Sequence, residues 1–324
     1  MSGRPDARVL AVFAAVVVFG GLNAVAVRYS NQELAPFWGG ALRLIPAAVI
    51  LFAYVLLRRA AMPRGRALLG IALYGVLGFA VSYAFLYFGL VDAPAGAAAV
   101  AVSLVPLMTL VLAPLHGLER FRWQAFGGAI VSAVGVAVVF ADQLDAQVGL
   151  VSLVALLLGA ATVAESTIVV KKFPRSDPAV TNALGMAIGA GLLVALSLVV
   201  GEAQAVPRAA PTILALAYLV VVGSVFLFMG FLYVLQRWTA SAASYQLLFM
   251  PLVTLPAASF LRGEEVSGAF AIGGALVLVG VYLGAIAPPI ALPGRRAPEL
   301  AVAPAAQPAA SGAGAAAFVP PNCP

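Results

Sequence analysis

Two stretches of this chain repeat each other at a constant spacing of 145 residues, Ala95–Val136 lying over Ala240–Val281 without a gap. Pro106 falls on Pro251, Leu107 on Leu252, Thr109 on Thr254, Glu119 on Glu264, Gly128 on Gly273 and Gly135 on Gly280. Each copy reads as an apolar helix holding a proline, a charged turn with a glutamate, and a second apolar helix punctuated by glycine. A duplicated block of membrane-length segments points to a transporter, because many transporter folds are two related bundles around a central site.

Composition names the solvent. The chain is 63% hydrophobic and 9% charged over 324 residues, with a mean hydropathy of +1.07. A soluble domain of this size could not cover its surface with so little charge, so most of it must face lipid. The net charge of +6 is not a nucleic-acid footprint, since no basic patch carries interleaved aromatics. One cysteine, Cys323, and one histidine, His116, leave no disulfide framework and no thiolate metal site. No metal and no cofactor is expected.

About 20 apolar residues cross a ~30 Å hydrocarbon core as a helix. Ten runs reach that length: 9–28, 35–57, 67–89, 94–115, 123–141, 148–170, 179–200, 211–235, 240–261 and 267–287. They are continuous rather than alternating, which favours helices over barrel strands. The first run resembles a signal peptide ending at Ala24-Val25-Ala26, but it is long enough to span and many spans follow. With the N-terminus in the cytoplasm, inner segments hold fourteen basic residues, among them Arg58, Arg64, Arg120, Lys171, Lys172 and Arg237. Outer segments hold only Arg28, Arg208 and Arg262, and Arg43 lies within a span. This asymmetry places both termini in the cytoplasm.

Five helices per half make the second half enter the membrane from the opposite side, so the repeat is inverted. The expected fold is an all-α integral membrane protein of ten transmembrane helices in two inverted five-helix repeats. A short cytoplasmic N-terminus (1–8) precedes the repeats at 9–141 and 148–287. Residues 288–324, rich in Pro and Ala, read as a disordered cytoplasmic tail.

These features resemble the drug/metabolite transporter superfamily, specifically its EamA-type members. The duplicated Pro…Glu…Gly…Gly block carries the likeness. The first helix adds Gly21, Asn23 and Arg28, and the second adds Arg43 after Gly39-Gly40-Ala41-Leu42. The resemblance covers residues 9–287. It implies a plasma-membrane carrier, often an exporter of amino acids, metabolites or drugs, working by alternating access. The family usually has an apolar or aromatic residue near position 165, where this chain has Glu165.

Glu165 comes six residues before Lys171, about 9 Å inside the cytoplasmic edge. A carboxylate facing lipid is disfavoured, so it should face a cavity or a partner. Thr162, Glu165 and Ser166 share one helix face at i, i+3 and i+4. Proton carrier or cation binder is one reading of Glu165; an interhelical hydrogen-bond anchor is the other. Ser241, Ser244 and Tyr245 form a similar face at comparable depth, either sharing an inner vestibule with Glu165 or packing as small residues and an interface aromatic. Asn23 and Tyr83 are candidate outer-cavity residues, with the aromatic belt as the alternative for the tyrosine. Arg43 reads as a structural charge, since its expected counterpart, Gly185, carries none; anion binding is the alternative. Pro106 and Pro251 each remove a backbone hydrogen bond, and matched breaks point to a hinge or binding site.

Other classes fit less well. An enzyme acting on lipid-linked substrates would want clustered carboxylates or histidines, whereas Asp142/Asp145 and Glu264/Glu265 stand away from any His. ATP-driven transport lacks its Gly-x-x-x-x-Gly-Lys-Ser/Thr loop. A non-transporting or lipid-flipping subunit remains an alternative. The expected partners are a small-molecule substrate, membrane lipid and a proton at Glu165, in a monomer or homodimer.

Overall fold

The apolar runs fold as helices whose ends coincide with the caps that the sequence supplies. The computed structural model describes residues 6–93, 100–139, 149–250, 252–253 and 268–286. Helix α1 (Ala7–Ser30) starts where the Asp6 carboxylate accepts from the Arg8 N–H at 3.0 Å. Helix α2 (Pro36–Leu57) places Pro36 in its first turn, where no N–H is needed. The next run is one rod in three pieces: α3 (Arg66–Tyr74), a π-helical segment π1 (Gly75–Val81) and α4 (Ser82–Asp92). Helices α5 (Val105–Leu115) and α6 (Trp123–Val139) follow.

The second half opens with α7 (Leu150–Lys172) and α8 (Pro178–Val200). Asp177 caps α8 by accepting from Ala179 N, and Gly201, at φ 75°, supplies the left-handed residue that closes it. A second three-piece rod comprises α9 (Ala210–Val220), π2 (Val221–Phe226) and α10 (Leu227–Arg237). Helix α11 (Ala240–Ser244), α12 (Gly268–Val281) and a π3 segment (Tyr282–Ile286) complete the described elements.

Six helices are long and apolar enough to cross a membrane: Ala7–Val27, Pro36–Leu57, Arg66–Val91, Leu150–Lys172, Pro178–Val200 and Ala210–Arg237. Shorter apolar helices cover Val100–Leu115, Trp123–Val138 and Ile272–Gly284. Among the described residues there is no strand. Side chains are arranged for lipid. Leu57 and Val199 are 85% and 84% exposed, while Ser82, Thr109, Ser132 and Asn182 are fully buried. Lipid tails give no hydrophobic drive for helices to associate, so close packing of small and polar residues has to hold them.

The repeat extends beyond the block that reveals it. Helices α2 and α8 start 142 residues apart, and 145 added to the first rod gives 211–237, which lies within the second rod. Added to π1 it gives 220–226, so the two π segments occupy equivalent places. Packing respects the same exchange. Helix α2 packs on α8, and α6 on α12. Helix α1 packs on the second rod as its equivalent α7 packs on the first.

The α6–α12 seam shows the symmetry atom by atom. A side chain on Gly128 would run into the backbone of Gly280 and Gly284, and one on Gly135 into Gly273 and Val277. Gly128 is the equivalent of Gly273, and Gly135 of Gly280, so the helices cross antiparallel with each contact mapping onto the other. Between them, the Ser132 hydroxyl donates to Val277 O at 3.1 Å, and these two residues are themselves 145 apart.

Charged side chains cross-tie the helix ends, carboxylates on N-termini and a lysine on a C-terminus, as the helix dipole favours. Glu33 accepts from Arg208 N and Ala209 N at the start of α9. Glu202 accepts from Phe37 N and Trp38 N at the start of α2. Glu119 accepts from Ser241 N in α11, and Lys171 donates to Leu235 O and Trp238 O at the end of α10.

Candidate functional site

The first polar cluster forms around π2. A π turn widens the backbone and leaves carbonyls free for other partners, which is why such turns recur at functional sites. Here Gly223 O accepts from Arg43 Nη2 at 2.6 Å and from Asn23 Nδ2 at 3.3 Å. Arg43 Nε donates to Ser224 Oγ at 2.8 Å, and its guanidinium lies 5.5 Å from the Tyr83 ring centroid. Tyr83 stacks on Tyr87. The structure thus brings Asn23 and Arg43 onto one carbonyl of the opposite half, with Tyr83 against the Arg43 guanidinium. Arg43 is buried, and among the described residues no carboxylate pairs with it. Its charge is met by a carbonyl dipole, a hydroxyl and a ring face. The Asn23 Oδ1 atom is buried without a hydrogen-bond partner.

Pro36 and Pro178 at the two helix starts are 142 apart, which lays Arg43 over Gly185, and the spacing of 145 lays it over Ile188. Ile188 and Gly185 both lie against Gly75 of π1. The equivalent place in the other half is therefore apolar.

The second cluster joins α7 to the end of α5. Glu165 Oε1 lies 3.2 Å from His116 Nε2, the only ion pair among the described residues. The His116 Nδ1 atom lies 3.0 Å from Leu112 O. The neighbouring hydroxyls turn inward on their own helix: Thr162 donates to Gly159 O and Ser166 to Val163 O. They add polarity to the face without bonding to Glu165.

The third group separates from the second. Ser244 donates to Ser241 O within its own turn. Tyr245 is buried and donates to Ala125 O at 3.0 Å, against Gly284, in the α6–α12 seam. The two side chains turn to different neighbours, Glu165 to His116 and Tyr245 to Ala125.

Of the expected hinge prolines, Pro251 lies outside the described residues. Pro106 is not in the interior of an unbroken helix. It stands in the first turn of α5, just after an interruption at Leu104, where its missing N–H leaves no ladder bond unmade.

Sequence reasoning missed His116 as the partner of Glu165, and missed all three π segments. One signal was present for π1 and π2. The spacing of 145 also lays Gly78 over Gly223, one in each.

The arrangement has relatives. Two stretches, 7–141 and 150–285, each match the model of the EamA-like transporter family. An uncharacterized transporter of Archaeoglobus fulgidus is 26% identical over 272 residues, covering 84% of this chain and 96% of its own. The uncharacterized inner membrane transporter YedA of Escherichia coli is 26% identical over 294 residues, covering 87% and 94%. A probable terminal-alkyne amino-acid exporter of Streptantibioticus cattleyicolor is 29% identical over 229 residues, covering 68% and 74%. A solved crystal structure superposes with a TM-score of 0.73 at 18% identity, over 87% of this chain and 97% of that one. With both halves matched by one family model and the two packed as exchangeable equivalents, the chain belongs to the EamA-like transporter family.

Proposed function

We propose that the protein is a secondary transporter that exports small metabolites, amino acids or drug-like compounds across the plasma membrane by alternating access. The observation that carries this reading is the antiparallel α6–α12 seam, in which each contact maps onto another at a spacing of 145. Two halves related in this way can exchange conformations, which opens a central site first to one side and then to the other. In this reading ten helices span, both termini are cytoplasmic, and Pro106 and Pro251 serve as hinges. Asn23, Tyr83, Thr162, Ser166, Ser244 and Tyr245 line the substrate path, and Glu165 carries a proton. A neutral, zwitterionic or cationic substrate suits a site whose deep carboxylate is Glu165. The relative named as an amino-acid exporter supports a substrate of that kind.

The test compares metabolites in the medium of cells with and without the protein, then repeats transport of the differing compounds in proteoliposomes. Accumulation of a defined compound outside, and counterflow of it in vesicles, are expected. Identical media together with inert vesicles overturn the reading. For orientation, a cysteine replacing Asp145 should label from outside intact cells and one replacing Arg64 should not.

A further inference from the structure

We propose that His116 and Glu165 hold a single proton between them, and that its binding and release make the α5–α7 contact respond to pH. The proposal deepens the proton-coupling reading of Glu165 given above and rests on it.

One tautomer accounts for both contacts of the ring. Leu112 O, 3.0 Å from His116 Nδ1, can only accept, so Nδ1 carries a hydrogen. The other ring nitrogen, Nε2, faces Glu165 Oε1 at 3.2 Å. A bare Nε2 and a carboxylate oxygen are both acceptors and repel at that distance. One proton, bonded to either atom, turns the repulsion into a hydrogen bond. With it the pair is an imidazolium–carboxylate or a neutral imidazole–carboxylic acid, and both have zero net charge, as the hydrocarbon region favours. Release of that proton to water leaves a carboxylate facing a bare nitrogen, with a net charge of −1. The link between the end of α5 and α7 therefore exists only while the proton is bound.

Both side chains are reachable, at 27% and 30% exposure. The ionisable groups nearest in sequence are Glu119, Arg120 and Arg122 after His116, and Lys171 and Lys172 at the end of α7; several groups on the packed elements have other partners. Lys171 bonds to Leu235 O and Trp238 O, and Glu119 to Ser241 N. Tyr74 bonds to Asn182, and Tyr245 to Ala125 O. Tyr83 lies against Arg43, and Arg237 stacks over Tyr233. Among the described residues, none of these partnered groups bonds to the pair.

The test uses the full chain in lipid nanodiscs with Cys323→Ser, so that one introduced thiol is the only one. Met108→Cys places it where α5 packs against Ala160 and Ala164 of α7. Labelling of this thiol by a water-soluble maleimide is measured from about pH 5.5 to about pH 8, where imidazoles as a class change charge. Each rate is divided by the rate in the Glu165→Gln background, so the thiol's own titration cancels. The ratio should change roughly ten-fold across the range, the factor that one hydrogen bond to a charged group corresponds to. With His116→Gln in place of the wild-type background, it should stay flat. A ratio that is flat in wild type, or that still changes in His116→Gln, overturns the proposal.

Should either variant fail to fold, the wild type alone decides. With one histidine in the chain, ¹⁵N-histidine labelling gives a single imidazole. Its neutral form should carry hydrogen on Nδ1, and hydrogen on Nε2 alone overturns the proposal. Neither measurement uses a substrate. A pair that behaves as described in vesicles where a pH gradient drives nothing overturns the coupling reading and leaves the proton site standing.

Discussion

The two π segments occupy equivalent places in the repeat but are held by opposite chemistry. Around π2, the carbonyl of Gly223 is bonded by Arg43 and Asn23, and Ser224 accepts from the same guanidinium. Around π1, the carbonyl of Gly78 is bonded by Ser82 of its own rod, and the neighbours across the halves are Gly185 and Ile188. The backbone distortion was duplicated and the polar partners were not. A π turn therefore does not need a charge to persist in a membrane. The charge on one side makes the two halves unequal in what they can bind, while leaving them equal in how they can bend.

Breaking the polar side should have the larger effect at every step. A side chain on Gly223 would collide with the Asn23 amide, so Gly223→Ala should destabilise by about 3 kcal/mol through overpacking. At Gly78 the added carbon would meet only side-chain atoms of Ser166 and Tyr74, at 3.2 Å, so Gly78→Ala should lower stability by less than about 1 kcal/mol. Melting of the two purified variants in detergent, followed by tryptophan fluorescence, decides this. Equal losses would remove the asymmetry.

Arg43→Met should follow at about 2 kcal/mol, the scale of hydrogen bonds made by a charged group. Its equivalent, Ile188→Met, exchanges one apolar side chain for another and should stay below about 1.5 kcal/mol. Thermal melts of both variants at a fixed detergent concentration make the comparison. Smaller again, Ser224→Ala removes a bond to a guanidinium and should lower stability by about 1.5 kcal/mol, whereas Ser82→Ala removes one to a neutral carbonyl and should lower it by about 0.5 kcal/mol. The same melts check the order, and a reversed order would mean that the guanidinium bond adds little.

The smallest effect lies at the rod ends. The second rod starts where Glu33 accepts from two backbone N–H groups, while the first starts at Gly65 with no side-chain cap. The Glu33 carboxyl is held below its ordinary value of 4.5, first by a hydrogen bond from Thr212 and then by the Ala209 N–H. Because the folded value is lowered, this contribution is whole above the ordinary carboxyl range and fades as pH falls through the lowered value. Glu33→Gln should therefore lower the melting temperature slightly at pH 7, and the difference should vanish at strongly acidic pH. A difference that persists in acid would point to lost packing instead of lost charge.

The sequence carried the architecture because lipid imposes a simple code. Continuous apolar runs must be helices, since every backbone group has to be satisfied within its own segment. The repeat survived in residues whose size matters for close packing, such as Gly128, Gly135, Gly273 and Gly280. Asn23, Arg43 and Tyr83 stood out as polar residues within spans, but the partner that Asn23 and Arg43 share is a backbone carbonyl, and carbonyls leave no mark in a sequence. His116 was hidden for another reason. It entered the sequence reading only as the chain's one histidine, and its pairing with Glu165 is a contact between helices far apart in the chain. Tyr245 was legible as a polar face residue, but rotation about the helix axis, which spacing does not fix, turned it into the seam. Pro106 marked a real interruption one turn away from where a simple kink would put it.

Ser132 and Val277 are equivalents that touch each other. Exchange of the two halves carries this pair onto itself, so whatever conformations the halves trade, the separation at this point is the same before and after. The bundle thus contains its own fixed origin, about which every other displacement can be measured. A pair of spin labels near positions 132 and 277 would report the same distance in the two exchanged states of the protein. Labels placed at equal intervals outward along α6 and α12 would then turn relative motions into absolute ones.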